Sequence, residues 1–335
     1  MTFIKSKLFE RDFRFLREFL PSLKHAYNHC HGINFQSLPP QKYPDEAQKA
    51  KVARNILEQY LLPATLVEAD MLAEIPKKLW LYWNSPLESA PDVVQVSVKS
   101  WKAKNPDYEV ILLNDENLEA FLGFDFNALF HISTVNLGFA MKADILRLYL
   151  LSVHGGVWAD TTTFSIRSLS EWLPECSSQT GFFTFRHLKN KTRPVEAWFI
   201  AAQKGHFVVR KVLALFLEHL FKERKHCLYV SNNMKSLGLS NDSDERFFLD
   251  VVLKAEENYF MPYFSVGYFF NEALRDEKAG DTCRILNNMP NHHAINLDEL
   301  SVVKSSYVSK QTYKKDYQDS ALYHERRAFV VSTLE

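Results

Sequence analysis

The residues best suited to do chemistry lie in one run, Lys142 to Thr163. Asp144 and Arg147 stand three apart, a Gly155-Gly156 pair follows, and then come Asp160 and Thr162, two apart. Ile145, Leu146, Leu148, Tyr149 and Leu150 predict a helix with a wide buried face, leaving Asp144 and Arg147 together on another side. The glycine pair ends that helix, because glycine tolerates the left-handed conformation of a C-cap. Val157-Trp158-Ala159 then predicts a buried strand whose carboxyl end delivers Asp160. Alternation along the strand points Asp160 and Thr162 to one side and Thr161 to the other. A strand-end carboxylate with an oxygen two residues on suits a hard divalent cation held against a diphosphate. Asp144 and Arg147 suit the hydroxyls of a sugar or ribose. The same spacing also fits a plainer arrangement: a surface ion pair worth about 0–1 kcal/mol, a helix cap and a turn aspartate.

The elements that must position these groups change character along the chain. Residues 1–72 read as a helical N-terminal region, and residues 73–335 as an α/β domain. In the first, Phe3, Leu8, Phe9, Phe13, Leu16 and Leu20 fall near helical spacing with Lys5, Lys7, Arg11, Arg14 and Arg17 between them. Residues 1–20 could therefore lie on an anionic membrane surface, or pack on the domain with the basic side in water. Ala47 to Leu62 predicts a second helix. His25, His29, Cys30 and His31 cluster, but no second ligand pair follows at zinc-site spacing. From Ile75 the pattern is α/β, with strands expected at 78–83, 108–113 and 157–159 and helices at 93–105, 117–122 and 137–154. Short links between alternating strands and helices indicate a parallel sheet with helical crossovers. Further strands are expected at 181–185 and 198–202, helices at 206–222 and 245–257, and an irregular stretch from about Asn287.

Composition narrows the partners. The chain has 335 residues, 46% of them hydrophobic, enough for a substantial core. Lys+Arg and Asp+Glu both number 40, so no global field favours nucleic acid, and an anionic ligand needs a local device. No run of signal-peptide or membrane-span length is present. The four cysteines, Cys30, Cys176, Cys227 and Cys283, are widely separated, which suits a reducing compartment. A cytoplasmic location is the resulting expectation.

Taken together, the run resembles the "DxxR … GG-x-[WY]-x-D" block of retaining glycosyltransferases in the capsular-polysaccharide-synthesis and alpha-mannosyltransferase-like families, and more distantly the clostridial glucosylating toxins. Three other segments agree in order. Ile75-Pro76-Lys77-Lys78-Leu79-Trp80-Leu81-Tyr82-Trp83 is similar to the families' opening strand, and Ser100-Trp101-Lys102-Ala103-Lys104-Asn105-Pro106-Asp107-Tyr108 to the S-W-x-x-x-N-P pattern after it. Ala197-Trp198-Phe199-Ile200-Ala201-Ala202 resembles the capsular N-W-F-(I/M)-A-A segment, and residues 305–314 its terminal S-P-x-x-K-L-T-(W/Y)-K. The likeness runs from Ile75 to about Lys315.

The resemblance implies a GT-A fold, a Rossmann-like mixed sheet with helices on both faces, binding a nucleotide-sugar donor at the strand carboxyl ends. It implies that Trp83 and Asn84 meet the nucleotide base, that Asp144 and Arg147 bind donor sugar and ribose, and that Asp160 is the first acid of the DxD motif. The second acid is Thr162, a departure that capsular relatives share as D-A-T. A hydroxyl is a weaker ligand than a carboxylate for the expected Mn²⁺ or Mg²⁺. Lys310 and Lys314 are candidates to hold the diphosphate. The implied reaction moves a sugar, with retention, from a UDP-sugar to a glycan or lipid-linked acceptor in surface polysaccharide synthesis. Asp250 aligns with a helix bordering the acceptor side. Two alternatives stand beside this: a toxin-like protein glycosyltransferase, and a silent sugar-nucleotide-binding partner of a glycan synthesis complex.

Overall fold

Leu79, Trp80 and Leu81 are all buried in β1 (Lys78–Tyr82), the run of apolar residues expected of a strand covered on both faces. The computed structural model describes residues 46–69, 74–187, 194–231 and 249–334, with the isolated positions 20, 22, 23 and 26. Helix α1 (Glu46–Ile56) runs on through a π turn to Ala64, and Ile56, Leu61 and Ala64 join the same core as the sheet. Phe3 to Arg17 and the His25, His29, Cys30 and His31 group lie outside the described residues, as does the side chain of Asp250.

After β1, helix α2 (Asp92–Lys104) leads to β2 (Glu109–Leu113), and helix α3 (Phe139–His154) leads to β3 (Gly156–Ala159). β1 pairs in parallel with both, Trp80 opposing Ile111 on one side and Trp158 on the other. Then come β4 (Thr163–Ser165), α4 (Leu169–Ser177), β5 (Phe182–Arg186) and β6 (Val195–Ala202). β6 is antiparallel to β3 and to β5, and the five-stranded sheet reads β2-β1-β3-β6-β5. The chain winds outward from β1 to β2 and then crosses back over β1 to β3. With right-handed crossovers, that reversal puts α2 and α3 on opposite faces. A crevice therefore opens between the carboxyl ends of β1 and β3, where such sheets bind ligands. This is the mixed α/β architecture expected.

The α3–β3 joint depends on its two glycines. Gly155 and Gly156 have φ of +67° and +102°, and a Cβ on Gly156 would lie 2.6 Å from the Lys78 carbonyl oxygen. Trp80 Nε1 donates to the Gly155 carbonyl at 2.9 Å, locking the cap against β1.

Helix α5 (Phe207–Phe221) packs on α3 and is followed by a two-stranded parallel ribbon, β7 (Tyr229–Ser231) with β8 (Phe260–Pro262). Helix α6 (Ser265–Arg275) was not expected; nine of its eleven residues are buried. The C-terminal stretch is also ordered, contrary to the irregular reading. β9 (His293–Ala294) runs parallel to β10 (Val308–Lys310), which pairs antiparallel with β4. Helix α7 (Ala321–Ser332) then returns to α2, where Tyr323 Oη donates to Asp92 Oδ2 at 2.5 Å and Arg327 grips both Asp92 oxygens. Its buried positions are Tyr323, Arg326 and Val330, and the arginine in that stripe hides the helix from a hydropathy reading. Arg326 is fully buried and donates to the carbonyls of Ile295 and Asp298 and to Tyr317 Oη. No helix among the described residues is long and apolar enough to cross a membrane.

Candidate active site

β3 ends at Ala159 because the backbone turns there. Thr163 Oγ1 donates to the Asp160 carbonyl at 2.7 Å, and Thr161 Oγ1 to the Tyr82 carbonyl at 2.9 Å, so the ends of β1 and β3 are tied together. Asp160 is thus delivered at the crevice. Two turns into α3, Asp144 and Arg147 face it. Arg147 Nη2 lies 3.0 Å from Asp160 Oδ1 and 3.2 Å from Asp144 Oδ1, and Nη1 donates to the Ala197 carbonyl of β6. The guanidinium lies 5.1 Å over the Trp158 ring, whose Nε1 also donates to Asp160 Oδ1 at 3.0 Å. Asp144 and Arg147 are buried, which rules out the surface ion pair that their spacing also allowed.

The fourth member comes from far along the chain. Lys310 opposes Thr163 across the β4–β10 ladder, and Gln311 N donates to the Thr162 carbonyl at 2.7 Å. This pairing brings Lys310 Nζ to 2.7 Å from Asp160 Oδ2 and 2.9 Å from Thr162 Oγ1. Asp160 and Thr162 thus meet one ammonium, but through the turn after β3 rather than by the strand alternation expected.

The two carboxylates feel different surroundings. Burial pushes the Asp144 carboxyl up to about 7, in spite of Arg147. Burial acts the same way on Asp160, but Lys310 and then Arg147 outweigh it and hold that carboxyl below its ordinary value. A pair of acids pushed apart in this way is characteristic of functional sites.

These residues line a cleft of about 400 Å³ with Glu196, Trp198, Tyr263 and Phe264 on its other walls. Trp198 Nε1 holds Glu196 Oε2 at 2.8 Å, and Tyr263 and Phe264 meet edge-on, both substantially exposed. Sequence reasoning passed over these four as site residues; only β6 and the segment before α6 bring them to the crevice. At the end of β1, Trp83 is half-buried and meets the exposed Tyr313 at 5.5 Å in a T-shaped contact, with Asn84 half-buried beside it. Lys314 is exposed and does not line the cleft.

The expected metal pair, Asp160 and Thr162, is brought together, yet its oxygens hold an ammonium. Mn²⁺ or Mg²⁺ takes about six oxygen ligands at close range. Here one carboxylate and one hydroxyl are on offer, and both accept from Lys310. Among the described residues no group of three or more His, Cys, Asp or Glu could hold a metal ion. A dication about 4 Å from the ammonium would meet a repulsion of about 8 kcal/mol at the effective dielectric of such sites. With Lys310 in this position the residues do not fit the cation.

The switch-point crevice of this α/β fold thus carries an Asp–Arg–Asp–Lys cluster. The sequence profile of the capsular polysaccharide synthesis protein family matches residues 39–235, and the chain belongs to that family. HOC1 of Saccharomyces cerevisiae is 23% identical over 171 residues, 47% of this chain and 43% of that protein. The initiation-specific alpha-1,6-mannosyltransferase of Candida albicans is 25% identical over 210 residues, 55% of this chain and 50% of that one. The matches thus span half or less of these curated relatives. Among solved structures, the PaToxG glycosyltransferase aligns with a TM-score of 0.37 and 16% identity over 72% of this chain and 84% of that chain.

Proposed function

We propose that this protein is a glycosyltransferase that moves a sugar from a nucleotide-sugar donor to an acceptor hydroxyl. The observation that carries the reading is the Asp144–Arg147–Asp160–Lys310 cluster, which lines one cleft at the carboxyl ends of β1 and β3. Membership of the capsular family supports it, as does similarity to a relative named as a mannosyltransferase.

In this proposal Trp83, with Tyr313 across from it and Asn84 beside it, receives the base by stacking and edge contact. Asp144 and Arg147 hold donor sugar and ribose hydroxyls, and Lys310 faces the diphosphate. Transfer proceeds with retention. The anomeric C–O bond breaks with its electron pair going to the departing phosphate oxygen, and the acceptor oxygen attacks from the same face. The acceptor's proton passes to that phosphate oxygen. Catalysis rests on positioning and on cations preorganised around the leaving group. The donor is a UDP-sugar and the acceptor a glycan or lipid-linked glycan of a surface polysaccharide. The protein works in the cytoplasm, with residues 1–20 at the membrane face.

The test is thermal-shift binding against a panel of UDP- and GDP-sugars, followed by product analysis. Stabilisation by one sugar nucleotide and release of its nucleoside diphosphate are expected. Stabilisation with no turnover on any acceptor would instead favour a silent binding partner. No stabilisation by any member of the panel would sink the reading.

A further inference from the structure

We infer that the Lys310 ammonium replaces a divalent cation at this site, so that donor binding and leaving-group stabilisation are metal-independent. The inference rests on the glycosyltransferase reading and deepens it.

The geometry argues in three steps. First, Lys310 sits where a cation would have to sit, bonded to the strand-end carboxylate and to the hydroxyl two residues on. Both Asp160 oxygens are engaged, Oδ1 by Arg147 and Trp158 and Oδ2 by Lys310. Second, Lys310 is not a loose surface lysine. It stands in a strand paired on both sides, to β4 and β9. The next residue, Gln311, is buried, and its amide oxygen accepts from Tyr317 and Arg326. The ladder fixes the Lys310 backbone beside Asp160, and the bonds to Asp160 and Thr162 hold the ammonium there. Third, an ammonium has three donors. Two are used by Asp160 and Thr162, and the side chain, 22% exposed, also lines the cleft. The third N–H can meet a phosphate oxygen.

The charges close as well. Asp144 and Asp160 against Arg147 and Lys310 sum to zero when all four are ionised, so an arriving diphosphate meets no net repulsion. When the anomeric bond breaks, the nucleoside diphosphate gains one negative charge at the oxygen that Lys310 faces. Thr162 then makes physical sense: an aspartate there would pair with Lys310 and draw it away from the phosphate.

The experiment is calorimetric titration of UDP and GDP into the full chain, once in EDTA and once in excess Mn²⁺. Wild type is expected to bind one nucleotide equally well in both. Lys310→Gln should lose about 10- to 100-fold in EDTA, the scale of a charged hydrogen bond. Lys310→Arg should retain most of the affinity, and melting curves of both variants show whether they fold. A double variant, Thr162→Asp with Lys310→Ala, recreates an open acidic pair and should bind only with Mn²⁺. Wild-type binding that requires Mn²⁺ overturns the inference while leaving the glycosyltransferase reading intact, as does a folded Lys310→Gln that binds normally in EDTA. Binding of neither nucleotide under either condition removes the donor-site reading itself, and the inference with it.

Discussion

Glu256 and Asp160 are both carboxylates wrapped in cations. Glu256 Oε1 meets His219 Nδ1 at 2.5 Å and Arg224 Nη2 at 2.7 Å, with Lys222 Nζ 3.7 Å from Oε2. Asp160 meets Arg147 at 3.0 Å and Lys310 at 2.7 Å. In both, burial would raise the carboxyl, and neighbouring donors hold it below its ordinary value instead, chiefly His219 for Glu256 and Lys310 for Asp160. The difference lies in what the cations do next. Arg224 spends Nη1 on Thr134 Oγ1 and the His219 carbonyl, stitching the end of α5 to the loop before α3. The Glu256 side chain is 8% exposed, against 26% for Asp160. Around Asp160, by contrast, a second acid stands by with its carboxyl raised to about 7, and a lysine keeps a donor in reserve. Glu256 and Arg224 also line a cleft, of about 550 Å³, so a cleft alone does not separate the two clusters. What does is that Arg224 Nη1 is bonded to the fold, whereas Lys310 keeps a donor for a ligand.

That contrast can be broken most severely at Asp160. Asp160→Asn should lower kcat by about 10²-fold, the scale of misplacing the Lys310 and Arg147 cations it holds, with a smaller loss of stability than at Glu256 because Asp160 is more exposed; this is read by donor turnover beside a thermal melt. Glu256→Gln should do the reverse. Leaving His219 and Arg224 around a neutral amide costs about 3–5 kcal/mol, measured by urea unfolding, and the folded fraction should turn over normally.

Acid titration sharpens the comparison further. Both carboxylates stay charged well below neutrality, and Asp144, raised to about 7, takes up its proton with a gain in stability, so neither cluster should lose stability between pH 6.5 and 4. His206 should. It is buried, stacked at 5.0 Å on Phe182, and burial pushes its imidazole down to about 4. A folded pKa below the unfolded one means full stability above pH 6.5 and loss as pH falls towards 4. That loss amounts to about 3 kcal/mol at about 1.4 per pKa unit. His206→Phe should flatten the slope; an unchanged slope would assign it elsewhere. The smallest effect is expected at the rim, where Trp83→Leu should weaken UDP binding about 3- to 10-fold through lost stacking without changing kcat.

Much of this was legible before folding. The helix over α3, the glycine cap and the short apolar strand β3 follow from residue type and period, because each is built from neighbours in sequence. Asp160 at the strand end was legible for the same reason. The cleft walls were not. Tyr263 and Phe264 carry no spacing signal, and Glu196 is one ordinary acid beside a recognisable segment. Helix α7 was hidden by Arg326, whose burial makes sense only once the Ile295 and Asp298 carbonyls are there to accept from it.

By itself, then, the sequence determined which groups stand within one helix, one cap and one strand, since backbone geometry transmits those spacings directly. That Asp160 meets the Lys310 ammonium was decided only by tertiary structure. Lys310 is 150 residues away, and no local rule places it there. The antiparallel β4–β10 ladder does, by setting Lys310 opposite Thr163 and bringing its Nζ onto both oxygens of the expected metal pair.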